Sequence, residues 1–376
     1  SNSKSLYITA GDKGESPIYA LAVTGGTPVE LTRGTNDSPT ATSIPSTLLY
    51  VRNSVSFPNE IYRLTVSIKP GHENCSIWMP KGQEANPTAT PCTDADLSFD
   101  TSNLTNLNSR NLSSISMQPV EPFWFTGSEK AKVQGFLLKP PNFDASKKYP
   151  VKFLIHGGPQ GAWGDDWSFR WNPNLFAADG YVIVMINPRG STGYGQKFID
   201  DINGDWGGRA YHDLMLGLDY AEKTYPFIDK DRECALGASY GGYMANWLLG
   251  HTTRFQCIVS HDGMFNSESA YGSTEELWFN EWEFKGTPWT NRELYRKWSP
   301  HLSAANFKTP TLVVHGQLDY RLDVSEGFQL FTTLQRLKVP SKMLYFPDEG
   351  HWVLKPQNSQ LWWKTVSDWV NQWTKK

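Results

Sequence analysis

The stretch Gly237-Ala238-Ser239-Tyr240-Gly241-Gly242 restricts the backbone more than any other in this chain. Before it, Cys234-Ala235-Leu236 reads as the end of an apolar strand. After it, residues 243–249 read as a helix. A serine on a strand-to-helix turn with no spacer must take strained backbone angles, and flanking glycines let strand and helix pass closely. Such a turn pushes the hydroxyl outward, beside the next backbone N–H and a helix N-terminus that favour negative charge. A glycine-rich turn with an incidental serine satisfies the string G-x-S-x-G, but it explains neither the strand nor the helix.

From residue 151 onward, strands alternate with helices. Apolar runs at 151–155, 181–186, 234–236, 257–260, 311–315 and 343–346 suit a parallel sheet covered on both faces. Helical patterns lie at 174–179, 210–224, after Ser239, at 325–337 and at 357–374. In the fourth, Phe328, Leu330, Phe331, Leu334 and Leu337 are expected to face the core. The fold class is therefore α/β with a doubly wound sheet, whose chemistry sits beyond the carboxyl ends of its strands.

A serine hydroxyl needs a base to take its proton, and the base needs a carboxylate to fix its tautomer. Asp319 follows the run at 311–315, and His351 follows the run at 343–346. The order Ser239, Asp319, His351 is the chain order usual for such sheets. Asp262 follows another strand and is the runner-up acid; Asp323 reads as a helix N-cap. Of the eight histidines, His156 and His315 end strands too early to be the base. His156-Gly157-Gly158-Pro159 follows the first strong strand, where a backbone N–H joined by that of Tyr240 would make an oxyanion hole. No metal-ligand spacing and no phosphate-binding glycine loop is present, so neither metal nor cofactor is expected.

Residues 1–118 read as short strands between turns. Leu6-Tyr7-Ile8 recurs as Leu49-Tyr50-Val51, and Ile18-Tyr19-Ala20-Leu21 as Ile61-Tyr62-Arg63-Leu64, both at an offset of 43. That period suits a four-stranded propeller blade, with two to three blades present; an all-β sandwich is the alternative. Residues 119–145 read as a crossover carrying an antiparallel strand pair. Asn36, Asn74, Asn103 and Asn111 each open an N-glycosylation sequon, all before residue 115. With four cysteines in an even set, they point to a secreted protein. A Cys75–Cys92 disulfide is expected, while Cys234 and Cys257 either pair across adjacent strands or stay buried thiols. The polar start at Ser1 reads as a processed or truncated end. A net charge of −3 gives no reason to expect nucleic acid, and no apolar run is long enough for a membrane span.

The catalytic half resembles the prolyl oligopeptidase family of serine peptidases. The matching pieces are His156–Pro159, Asn187-Pro188-Arg189-Gly190-Ser191 with Thr192–Gly195, Gly204-Asp205-Trp206-Gly207-Gly208, Gly237–Tyr243, His315–Arg321 and Pro347–Trp352. They run in order from about residue 119 to the end, and His-Gly-Gly-Pro with Asp319-x-Arg321 places the chain nearer the acylaminoacyl-peptidase-like branch. The resemblance implies an α/β-hydrolase domain at 119–376, preceded at 1–118 by the C-terminal blades of a propeller. It implies Ser239 as nucleophile, Asp319 as acid, His351 as base, and Tyr240 and Gly158 as oxyanion donors. Arg321 lies where the family places an arginine that holds a substrate carbonyl; a salt bridge to Asp323 or another carboxylate is the other reading. The carboxylates that bind a free amino terminus in related dipeptidyl-peptidases come from propeller segments, and no paired-acid motif stands before residue 118.

The expected function is that of a secreted serine exopeptidase releasing dipeptides from peptide N-termini, with peptides as its partners and no bound cofactor. An acylaminoacyl peptidase or carboxylesterase with the same triad is the second reading. A non-catalytic extracellular binding or antigenic protein is the reading from another class.

Overall fold

The computed structural model describes residues 5–23, 25–44, 46–73, 75, 76 and 90–375. The chain forms two compact units: Ser1–Pro119 with Gly164–Ser168, and Val120–Trp163 with Phe169–Lys376.

The first unit is built of short antiparallel sheets. One has the order β1-β2-β3, from Ser5–Thr9, Ile18–Ala22 and Val29–Thr32. The next has the order β4-β5-β6-β9, from Thr35–Ala41, Thr47–Ser54, Phe57–Ile68 and Leu97–Asn103. A two-stranded sheet joins β7 (Cys75–Ser76) to β8 (Thr90–Pro91), and one turn of helix, α1, spans Ser109–Leu112. Cys75 and Cys92 form a disulfide and lie in this unit's core with Ile18, Leu48, Tyr50 and Leu64.

The 43-residue repeat falls on neighbouring strand pairs, β1-β2 and β5-β6, but their registers differ by one residue. Leu6 stands opposite Leu21, whereas Leu49 stands opposite Arg63. A one-residue slip moves a strand's side chains to the other face. Accordingly Ile18 is buried while its counterpart Ile61 is exposed, and Leu64 takes the buried place.

The sequon at Asn36 is a correction. Asn36 is 3% exposed, and its Nδ2 donates to the carbonyls of Ser16, Arg33 and Gly34. A nitrogen so committed has neither the room nor the free hydrogen that a glycan linkage requires. Asn103 and Asn111 are exposed, and Asn74 lies outside the described residues.

The second unit holds one eight-stranded sheet in the order β10-β11-β13-β12-β14-β15-β16-β17. Its strands are Glu121–Thr126, Lys132–Leu138, Tyr149–Ile155 (β12), Val182–Asn187 (β13), Ile228–Ala238 (β14), Cys257–His261 (β15), Thr311–Gly316 (β16) and Ser341–Phe346 (β17). The strands β10 and β11 run antiparallel, and β12 to β17 are parallel to one another. Strand order reverses around β12, the point where such sheets open a crevice at their carboxyl ends. Residues of β12, β13 and β15 are almost all buried, which is why their sequences are largely apolar.

Among the described residues nine α-helices accompany the sheet: α2 (Pro173–Ala177), α3 (Gln196–Asp200), α4 (Arg209–Thr224), α5 (Tyr240–His251), α6 (Ser267–Ser273), α7 (Leu277–Glu283), α8 (Arg292–Lys297), α9 (Val324–Arg336) and α10 (Pro356–Thr374). The short helices α3 and α6 to α8 do not follow from the sequence pattern; each spans fewer than two full turns. Of the five apolar residues expected to face the core at α9, only Leu330 and Leu334 are fully buried, while Phe328 and Leu337 are exposed. The core-facing stripe there is narrower than the five apolar residues suggested. Cys234 and Cys257 are direct neighbours on β14 and β15 and form a disulfide.

Candidate active site

Ser239 is the residue between β14 and α5. It has φ 60° and ψ −121°, angles that L-residues rarely take. Three contacts hold it there. Its N–H donates to His261 O at 3.0 Å. A Cβ on Gly237 would lie 2.2 Å from Gly241 O, and one on Gly241 would lie 2.2 Å from Ile155 O. Only glycine permits these approaches, so the elbow is a steric consequence of its sequence. Tyr240 is the first residue of α5, which leaves its N–H outside the helix's own hydrogen bonds.

The loop after β12 lies against the serine: a Cβ on Gly157 would sit 3.8 Å from Ser239 Oγ. Gly158 has φ +122°, open to glycine alone, and is joined to Pro159 by a cis bond. Side chains from later motifs pin this loop. His156 Nδ1 donates to Gly157 O at 2.8 Å, and its Nε2 is 2.9 Å from Ser191 Oγ. Burial pushes the His156 imidazolium down to about 4, so the ring stays neutral. Gln160 and Trp206 both donate to the buried carboxylate of Glu283, and Tyr240 OH donates to Trp206 O at 2.7 Å. Arg189 grips the buried Asp213 on α4 with two hydrogen bonds, at 2.8 and 3.0 Å. The Pro-Arg-Gly-Ser and Asp-Trp-Gly-Gly segments thus brace the loop and the elbow.

Asp319 and His351 stand in the loops after β16 and β17. His351 Nδ1 donates to Asp319 Oδ2 at 2.7 Å, leaving Nε2 as the nitrogen able to accept a proton. Asp319 is fully buried, and its Oδ1 accepts from the N–H groups of Arg321 and Leu322 at 2.9 and 3.0 Å. Burial alone would raise its carboxyl. The His351 hydrogen bond and charge, His315 and the Leu322 N–H outweigh it and hold Asp319 below the usual range.

The competing acids occupy other roles. Asp323 caps α9, its side chain accepting from Ser325 N at 3.0 Å. Asp262 is buried at the end of β15, and its Oδ1 accepts from Gly316 N at 3.3 Å. His315 Nε2 donates to Leu322 O at 2.7 Å.

Arg321 forms the salt bridge of its second reading, not with Asp323 but with two other carboxylates. Its Nη2 lies 3.1 Å from Glu275 Oε1 and 3.0 Å from Glu276 Oε1. Glu275 N also donates to Tyr320 O at 2.7 Å, so the segment entering α7 is tied to the Asp319 loop. This adjacent acid pair was legible as Glu275-Glu276, but only to a search for paired acids that runs past residue 118. His261, behind Ser239 on β15, was also missed; nothing in its sequence neighbourhood marks it.

Residues 167–376 match the model of the prolyl oligopeptidase family, Peptidase_S9. The chain belongs to the prolyl oligopeptidase family. Dipeptidyl-peptidase 5 of Schizosaccharomyces pombe is 44% identical over 81% of this chain and 44% of its own length. The probable dipeptidyl-peptidase 5 of Aspergillus clavatus is 49% identical over 68% of this chain and 36% of its own. The chain therefore spans less than half the length of these curated relatives. Among solved structures, Pyrococcus horikoshii acylaminoacyl peptidase aligns with a TM-score of 0.82 at 24% identity, over 99% of this chain and 55% of that one. The likeness of fold extends through both units. Among the described residues no helix is long and apolar enough to cross a membrane.

Proposed function

We propose that this chain carries the catalytic part of a secreted serine peptidase that releases dipeptides from peptide N-termini. The observation that carries the reading is a strained Ser239 elbow in one unit with a buried, hydrogen-bonded Asp319–His351 pair. In this reading His351 Nε2 takes the Ser239 proton as Oγ attacks the scissile carbonyl, then returns it to the leaving amine. The N–H groups of Tyr240 and Gly158 receive the oxyanion. Water, activated by the same base, hydrolyses the acyl-enzyme. Asp319 holds the imidazole tautomer and stabilises its cation.

Dipeptide release requires a carboxylate at a fixed place to receive the substrate's ammonium group. Glu275 and Glu276 share one cation, Arg321, so the three groups carry a net charge of −1 that suits an ammonium. In this reading the amine anchor would belong to the catalytic unit rather than to propeller blades. Arg321 then acts by holding the acid pair, and the carbonyl-holding role expected of it becomes secondary. The first unit, residues 1–118, is read as blades of a propeller on its antiparallel sheets and offset repeat, with the hydrolase domain at 119–376. Two disulfides and the exposed sequons at Asn103 and Asn111 support secretion.

The test sets Ala-Ala and Lys-Ala chromogenic anilides beside acetyl-Ala substrates. Faster hydrolysis of the free-amine dipeptides is expected. Preference for the acetylated substrate would replace this reading with the acylaminoacyl-peptidase one.

A further inference from the structure

Behind the Asp319–His351 pair lies a second buried carboxylate, and the mechanism above leaves it idle. Asp262 is 1% exposed, and a carboxylate oxygen of Asp262, one of Asp319 and a ring nitrogen of His315 all lie within 4.8 Å of one another. His315 Nε2 is 3.7 Å from Asp262 Oδ1 and 3.6 Å from Asp319 Oδ2. Asp262 has φ 47°, the left-handed region, at the strand end that faces this cluster. A non-glycine residue held there costs free energy, so its placement asks for a purpose. Its Oδ2 has no hydrogen bond, although His261 Nε2 is 2.9 Å away without hydrogen-bonding geometry.

The cluster is not a cation site. His315 donates from Nε2 to a carbonyl, so only Nδ1 could ligate a cation. That atom faces α9, where a Cβ on Gly327 would come within 2.6 Å of it. Two buried carboxylates this close do not both ionise readily; they titrate as a pair sharing a charge. Asp319 takes the charge because His351 and two backbone N–H groups bond it. Asp262 has one weak N–H donor and keeps the proton.

We propose that Asp262 is a positioning residue that shares a single negative charge with Asp319 across His315, so that its ionisation sets the basicity of His351. The groups facing it are His261 on its own strand, His315 and Asp319 from β16 and its loop, and His351 from the loop after β17. Arg170, ahead of α2, acts on His261. Burial and the Asp319 charge raise the Asp262 carboxyl to about 7, against the pull of His315, His351 and the Gly316 N–H. Burial lowers His261 to about 4, with Asp319 opposing and Arg170 assisting, so His261 is neutral and adds no charge where the enzyme works. Once Asp262 ionises, a second negative charge stands near the imidazole and strengthens it as a base.

The inference rests on the triad reading, and its test separates the two. kcat/KM is measured from pH 5 to 9 on an uncharged nitrophenyl ester, so that no substrate group titrates, with Ser239→Ala as the blank. The wild-type profile is expected to follow two ionisations. Asp262→Asn, which keeps an acceptor for Gly316 N–H, should follow one, its midpoint lower by about half a unit to one unit. A purely structural role would lower the rate evenly across pH and leave midpoint and slope alone. Identical normalised profiles for wild type and Asp262→Asn overturn the proposal while the triad stands. If Asp262→Asn fails to fold, Asp262→Ser makes the same comparison. A wild-type profile with one ionisation overturns the proposal without any variant. Ester hydrolysis surviving in Ser239→Ala would instead remove the triad reading.

Discussion

The two units are built from similar strands but solve the burial problem differently. In the catalytic unit the central strands are covered on both faces, and Val151, Phe153, Ile183, Val184, Leu236 and Val259 are inaccessible. Several of its buried polar groups are bonded in sets, such as Arg189 with Asp213 and Glu326 with the N–H groups of Phe265 and Asn266. In the β unit the sheets bury alternate residues, and Leu6, Ile8, Ile61 and Phe99 remain exposed along its strands. A site that needs atoms held to a fraction of an ångström belongs in the first setting. The β unit holds its elements with a disulfide and a smaller core.

That contrast can be broken by separate damage to each unit. The largest effect is expected at the acid. Asp319→Asn should lower kcat/KM by about a thousandfold or more, because a neutral amide no longer enforces the His351 tautomer. Asp323→Asn should cost several-fold at most, since Asp323 caps a helix. Equal losses at the two positions would mean that the strand-end acid is misassigned.

A smaller and more selective effect is expected at the acid pair. Glu275→Gln with Glu276→Gln should lower kcat/KM for free-amine dipeptides by about tenfold to a hundredfold, while a nitrophenyl ester loses little. Equal losses on both substrates would make the pair a brace for Arg321. A dipeptide rate untouched by the change would return the amine anchor to segments found in the longer relatives.

The smallest catalytic effect belongs to the β unit. Leu64→Ala empties a fully buried position there and should destabilise that unit by about 2–5 kcal/mol. Ester hydrolysis should persist at temperatures where the β unit's circular-dichroism signal is already lost. Coincident loss of both would show that the hydrolase unit does not stand on its own core.

How much was legible in the sequence follows the same division. Strands buried on both faces print their burial as largely apolar runs, so the positions of β12, β13, β15 and β16 along the chain could be read directly. The elbow was legible because Gly237 answers a steric contact with nearby Gly241, although the contact that constrains Gly241, with Ile155 O, is tertiary. The pairing of Asp319 with His351 was legible only through strand-end position, since 32 residues separate them. In the β unit the repeat located the strand pairs, yet the one-residue slip that buries Leu64 and exposes Ile61 depends on pairing partners that no local pattern encodes. The same holds for Asn36, where the sequon is local and the burial is tertiary. Asp262 read as a rival acid because its position after a strand is as good as that of Asp319. Only the backbone donors and His351 around Asp319 separate them.

The central claim is that one serine, set by its elbow, is the nucleophile of a self-contained catalytic unit. Labelling with a fluorophosphonate followed by peptide mapping tests it most directly. A single adduct on Ser239 is expected, with labelling slowed in Asp319→Asn and absent in Ser239→Ala. An adduct on another residue, or a folded chain that takes no label, would contradict the account.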